Sequence, residues 1–147
     1  MLGKVPHYRT SVTTPRRPED AFEYMATFEN VAEWDPGVAD AEPLDTGGPT
    51  VGRRVRVVVS PAGRRLPLEY RITELEPPHR VLLVAETSTI RSVDEITVQP
   101  TPGGATVTYD AKLELLGPLR LFNPVLGFVF NRVGDRAAAG LRRKLRS

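Results

Sequence analysis

Tyr70, Asp94 and Tyr109 are the polar residues whose positions in the sequence promise chemistry. Tyr109 lies in ATVTYDAKLELL (105–116), on the parity of Val107, Ala111 and Leu113. Tyr70 lies in LPLEYRITEL (66–75), on the parity of Leu68 and Ile72. A tyrosine on an apolar strand face needs a partner for its hydroxyl. That partner is either backbone or water in a filled core, or a carbonyl or phenol of a ligand. Asp94 shares its parity with Ser92, Ile96 and Val98 in SVDEITVQP (92–100). If that face points inward, the carboxyl loses its water and its pKa rises, which is how a general acid or base is made. The competing reading places Asp94 at a wet strand end near Arg91, or in a strand slipped by one residue, which reverses every facing. Glu86 carries the same ambiguity.

Other chemistries find no residues to carry them. The 147 residues include no cysteine and two histidines, His7 and His79, far apart and without zinc-ligand spacing. No nucleophile elbow or phosphate loop is present; GGPTVG (47–52) and TPGG (101–104) read as turns. No metal and no cofactor are expected. A hydrophobic share of 40% and a net charge of +2 describe a globular chain of about one domain's length. The basic excess gathers in Arg132, Arg136, Arg142, Arg143, Lys144 and Arg146 against Asp135. Without interleaved aromatics or a known module, this is a solvated helix face rather than a nucleic-acid surface. LFNPVLGFVF (121–130) is too short and too interrupted for a membrane span, which needs roughly 20 apolar residues. The opening MLGKVPHYRT has no apolar signal core, so a cytoplasmic location is expected.

The elements that must position these residues follow from periodicity. HYRTSVTT (7–14) alternates, with Tyr8, Thr10, Val12 and Thr14 on one face. Pro18 suits the first position of a helix, and Glu19 and Asp20 favour its start. ENVAEWDPGV is a second short helix or turn, closed by Asp35, Pro36 and Gly37. Strand segments follow at 38–45, 53–60, 66–75, 81–90, 92–100 and 105–116, separated by turns such as PAGRR (61–65) and EPPHR (76–80). A long helix ends the chain, with Asn123 as N-cap and Pro124 at its first position. Leu126, Val129, Val133, Ala137, Leu141 and Leu145 form its inner stripe, and Arg132, Arg136, Arg143 and Arg146 its outer one. Strands in series with segregated helices make an α+β domain over residues 1–147. One helix about 10 Å wide cannot cover seven strands about 4.8 Å apart. Either the sheet curls around it, or space remains between them.

Four stretches carry a resemblance. They are SVTTPRRPEDAFEYMATFENVAEWDPGV, the turn ELEPPHRV, the strand GGATVTYDAKLEL and the ending GPLRLFNPVLGFVFNRVGDRAAAGLRRKL. Together they resemble the polyketide cyclase/dehydrase and lipid-transport branch of the START-like, birch-allergen-like superfamily (SRPBCC). The resemblance implies a helix-grip fold, in which a curved antiparallel sheet of about seven strands holds a long C-terminal helix. Two short helices would follow the first strand, and an apolar cavity would lie between sheet and helix. It implies that LFNPVLGFVF walls the cavity mouth, through Phe122, Leu126, Val129 and Phe130. It places Trp34 where the small helices meet the sheet, as an anchor or at the cavity rim. Tyr8 and Thr10 would line the pocket beside Tyr70, Asp94 and Tyr109.

Two functions fit. One is a carrier or sensor that binds a hydrophobic or aromatic small molecule, lipid or polyketide-like, in a mainly apolar cavity. The other is a polyketide cyclase, aromatase or dehydratase, which needs a dry cavity and one or two acid–base groups. The absence of an inward histidine or arginine favours binding. Whether the chain works as monomer or dimer is left open by the sequence.

Overall fold

The computed structural model describes residues 6–60 and 63–146. β1 (His7–Thr14) leads through α1 (Pro18–Ala26), a 3-10 turn (Phe28–Asn30) and α2 (Val31–Trp34) into six strands. These are β2 (Val38–Pro43), β3 (Arg54–Val59), β4 (Leu66–Glu76), β5 (Arg80–Glu86), β6 (Ile90–Thr101) and β7 (Gly104–Leu115). A 3-10 segment (Gly117–Phe122) then opens into α3 (Asn123–Arg146). The strands make a seven-stranded sheet in the order β1-β7-β6-β5-β4-β3-β2. Every neighbouring pair is antiparallel. This is the α+β helix-grip architecture anticipated from the sequence. Pro61 and Ala62, in the expected PAGRR loop, and the opening residues 1–5 lie outside the described residues.

The sheet curves because two of its ladders slip. Registers shift between Val38 and Asp40 in β2 and between Ile72 and Glu74 in β4. An extra residue on one strand bends it and increases its twist. The concave face carries the core: Val55, Val57, Leu68, Ile72, Val81, Leu83, Ile96, Val98 and Val107 are buried on it. α1 adds Phe22 and Met25, the 3-10 turn adds Phe28, and α2 adds Val31 and Trp34. α1 begins at Pro18 as expected and ends at Thr27, whose Oγ1 donates to the Glu23 carbonyl at 2.7 Å. Arg53, 5% exposed and just ahead of β3, ties the 3-10 turn to the sheet. Its guanidinium donates to both Glu29 carboxylate oxygens, at 2.8 and 3.0 Å, and to the Gly47 carbonyl at 3.1 Å.

α3 packs with its second half. Gly134, Ala137, Ala138, Gly140, Leu141 and Leu145 are buried along it. Two glycines set the approach. A Cβ on Gly134 would overlap the Tyr8 ring, and one on Gly140 would overlap the backbone carbonyl of Trp34. The last carbonyls find donors on the first strand and the loop after it. Thr14 Oγ1 donates to Leu145 O at 2.6 Å, and Arg16 Nη2 to Lys144 O at 3.1 Å. Such partners satisfy carbonyls that have none inside the helix.

The structure departs from the expected pattern in three places. The inner stripe holds only for Ala137, Leu141 and Leu145: Val129 and Val133 are exposed and Leu126 is half-buried. Glycine and alanine share the buried face with Leu141 and Leu145, because at Gly134 and Gly140 the helix axis comes too close for a larger side chain. Asn123 is the first helical residue rather than a cap. Its Oδ1 accepts from Leu115 N at 2.8 Å and its Nδ2 donates to Leu115 O at 3.3 Å. The side-chain amide thus extends the β7 ladder two residues past Leu113, whose N–H bonds to the Pro6 carbonyl at 2.9 Å. β5 stops at Glu86 instead of continuing to 90, since Thr87 folds back through its Oγ1, which accepts from Ile90 N at 3.0 Å.

Candidate functional site

The concave face holds one polar cluster, built from β4, β6 and β7. Register explains how it assembles. Tyr70 pairs with Ala85, and Ala85 pairs with Ser92. The small Ala85 lets the Tyr70 side chain lean across β5, and its hydroxyl meets Ser92 Oγ at 2.7 Å. Asp94 pairs with Ala111 while Tyr109 pairs with Ile96. Asp94 and Tyr109 are therefore diagonal neighbours, within reach of long side chains. Tyr109 Oη donates to Asp94 Oδ2 at 2.7 Å, and Ser92 Oγ donates to Asp94 Oδ1 at 3.4 Å. The chain Tyr70–Ser92–Asp94–Tyr109 is closed on itself: among the described residues, no buried side-chain nitrogen or oxygen lacks a partner.

Apolar rings roof the cluster. The Trp34 ring meets Tyr109 edge-on, with centroids 5.2 Å apart, and Phe28 meets Tyr70 at 5.0 Å. Such edge-to-face pairs are favourable beyond their area. Trp34 itself is held by the close crossing at Gly140.

Burial controls the electrostatics. Asp94 is 3% exposed. Loss of water raises its pKa to about 7, against the opposing hydrogen bond from Tyr109, and the nearby Asp35 charge adds to the rise. Tyr70 and Tyr109 are pushed well above the usual phenol value, first by burial and then by the Asp94 charge. Asp35 is raised to about 6 by burial, partly offset by the Gly37 N–H that donates to its Oδ1 at 2.8 Å. Near neutral pH the cluster thus holds a carboxyl that gives or takes a proton, flanked by two phenols that stay protonated.

The expected site residues divide into two groups. Tyr70, Asp94 and Tyr109 come together, and Trp34 joins them. The inward reading of Asp94 is the one the structure adopts. Glu86, in contrast, is exposed and pairs with Arg91 at 3.3 Å. Thr10 sits opposite Tyr109 in the β1–β7 ladder and is half-buried. Tyr8 is half-buried under α3, and its hydroxyl donates to Asp135 Oδ1 at 3.0 Å instead of joining the cluster. Leu126 and Phe130 are half-buried, with Phe130 against the core. Phe122 and Val129 do not join them: they are 58% and 54% exposed. Burial also falls toward this end of the sheet, from Tyr109 and Ala111 to Leu113 and Leu115 on β7, and from Ser92 to Ile90 on β6.

Two members escaped sequence reasoning as site residues. Ser92 was visible only as the neighbour of Asp94. Asp35 read as part of a turn, and its place beside the one tryptophan was its only signal.

The family model described as "Polyketide cyclase / dehydrase and lipid transport" matches residues 6–146. The chain belongs to this family. Solved structures agree with the family's fold. A START superfamily protein from Mycobacterium smegmatis superposes with a TM-score of 0.75 at 13% identity, covering 95% of this chain and 96% of that one. A protein from Thermus thermophilus gives 0.76 at 18% identity, covering 95% and 97%. An aromatase/cyclase from Streptomyces sp. R1128 gives 0.75 at 16% identity, covering 97% and 94%. No curated protein matches the sequence. Identities this low speak to the fold alone, and fold and family are consistent with binding of a hydrophobic ligand. Among the described residues no cluster of histidine, cysteine, aspartate or glutamate is placed to hold a metal ion. No described helix is long and apolar enough to cross a membrane.

Proposed function

We propose that the chain binds a hydrophobic or aromatic small molecule, lipid or polyketide-like, between the concave sheet and α3, as a carrier or sensor. The observation that carries this reading is the buried Tyr70–Ser92–Asp94–Tyr109 chain on an otherwise apolar face. A mostly apolar lining with a few convergent polar groups is what orients a small ligand. The ligand enters past Leu126 and Phe130, with Phe122 and Val129 at the outer rim. Its apolar body lies along Tyr8 and Thr10. Its carbonyl or phenol is directed at the two tyrosines, beside the Trp34 and Phe28 rings. Native mass spectrometry of the purified protein, followed by denaturing extraction, tests this. A mass excess that leaves on denaturation is expected. No excess, together with no uptake of a fluorescent apolar probe, would sink the proposal.

A second reading is favoured by the Asp94 carboxyl, which titrates near neutral pH. A general base is most effective with its pKa near the working pH. On a polyketide-like substrate, the Asp94 carboxylate removes a proton next to a ketone. The resulting enolate attacks a second carbonyl and forms the ring bond. The alkoxide then recovers the proton from Asp94. For such a cyclase, Asp94→Asn abolishes turnover on a cyclising substrate while leaving substrate affinity within severalfold. Equal turnover in the variant excludes the mechanism.

A further inference from the structure

The solvent face of α3 changes character along its length. Its start presents Val125, Phe128 and Val129, with Phe128 81% exposed. Leu121, 75% exposed, stands just ahead of it. Steps of three and four residues carry this stripe into Arg132 and Arg136 on the same side of the helix. Farther on, Arg142, Arg143 and Arg146 line a surface groove beside Ala139. From Gly117 to Gly134 the sequence has two arginines and no carboxylate. The one acidic residue of α3, Asp135, accepts a hydrogen bond from Tyr8.

We propose that this face docks on the surface of an anionic lipid bilayer. The apolar residues enter the headgroup boundary and the arginines meet lipid phosphates, as an amphipathic helix lying in the interface does. Charge selects this occupant. A second copy of the chain would set one arginine-rich stripe against another, whereas an anionic surface complements it. The helix lies on the membrane and does not span it. Docking needs no ligand in the interior, so it stands or falls apart from the binding proposal.

Cosedimentation with sucrose-loaded vesicles tests it. The protein is expected to bind an equal mixture of phosphatidylglycerol and phosphatidylcholine, to ignore phosphatidylcholine alone, and to come off as salt screens the charges. Each basic residue near such a surface contributes about fivefold to partitioning, so Arg132→Gln with Arg136→Gln should lose about thirtyfold. Val125→Ser with Phe128→Ser should lose about tenfold or more. These side chains are exposed, so the variants should melt like the parent, and a melting control by circular dichroism identifies any that do not. Three results would overturn the proposal: no binding to the mixture, equal binding to phosphatidylcholine alone, or variants that fold and bind as the parent does. A lipid-free dimer that Phe128→Ser dissolves, with no vesicle binding, would assign the face to a second copy instead.

Discussion

The two halves of α3 share one helix and have opposite environments. The first half, rich in Phe and Val, leaves Val125, Phe128 and Val129 in solvent. The second half, rich in Arg and Ala, buries Ala137, Ala138, Gly140, Leu141 and Leu145. Hydrophobicity alone would assign them the other way round. Burial follows closeness instead. The second half crosses Tyr8 and Trp34 so tightly that only glycine fits at 134 and 140, and each glycine carries an intrinsic helix cost of about 1 kcal/mol relative to alanine. The closed half fixes Trp34, and Trp34 roofs Tyr109 and so the cluster around Asp94. The open half borders the end of the sheet where burial falls. One end of the helix thus holds the interior chemistry in place while the other stays free to meet something outside.

Gly140→Ala should break the closed half, with the largest effect. The added Cβ meets the Trp34 backbone carbonyl, which cannot rotate away. Overpacking of this kind costs about 3 kcal/mol or more, read as a lower midpoint in urea unfolding. Displacement of Trp34 should also change its fluorescence before the main transition. An unchanged midpoint would mean that the crossing is looser than described.

Asp94→Asn should act in the opposite direction and with a pH dependence. The Asp94 carboxyl ionises near its usual value of 3.8 when unfolded and at about 7 when folded. Its contribution to stability is therefore fully present below about pH 4 and is lost as pH rises to 7. Asparagine stays neutral throughout. The variant should match the parent near pH 4, gain on it by a few kcal/mol as pH rises to 7, and then hold level. Asp35 titrates in the same direction in both proteins and largely cancels from the difference. A difference that stays flat from pH 4 to 8 would show that Asp94 is not raised by burial.

The alternation of the strands made the cluster legible in the sequence. Parity placed Tyr70 and Tyr109 on apolar faces of β4 and β7 and left the facing of Asp94 open, which the register of β6 turns toward the core. Their mutual contacts were not legible, because these depend on Ala85 and Ala111 lying opposite in neighbouring strands, and register between strands is not written in any one of them. Asp35 lay out of reach for a related reason: a turn residue has no periodicity to reveal which way it faces. The helix was legible in extent and misleading in facing. A stripe drawn through Leu126, Val129 and Val133 assumes a straight continuation of the Ala137–Leu141–Leu145 seam. α3 keeps that seam only where glycine and alanine bring the axis close enough.

The smallest effect gives the sharpest comparison, because it repeats the Gly140 substitution in the open half. Gly127 lies within α3, about two turns before Gly134, and a Cβ there would meet nothing within 4 Å. Alanine at this site keeps the helix, clashes with no neighbour and restricts the unfolded chain. The expected result is a gain of about 0.5–1 kcal/mol, seen as a slightly higher urea midpoint with an unchanged slope. The same substitution thirteen residues apart in one helix should then have opposite signs. If Gly127→Ala destabilises instead, something covers the open half in solution. The loss should then deepen with protein concentration if the cover is a second copy, because only association depends on concentration.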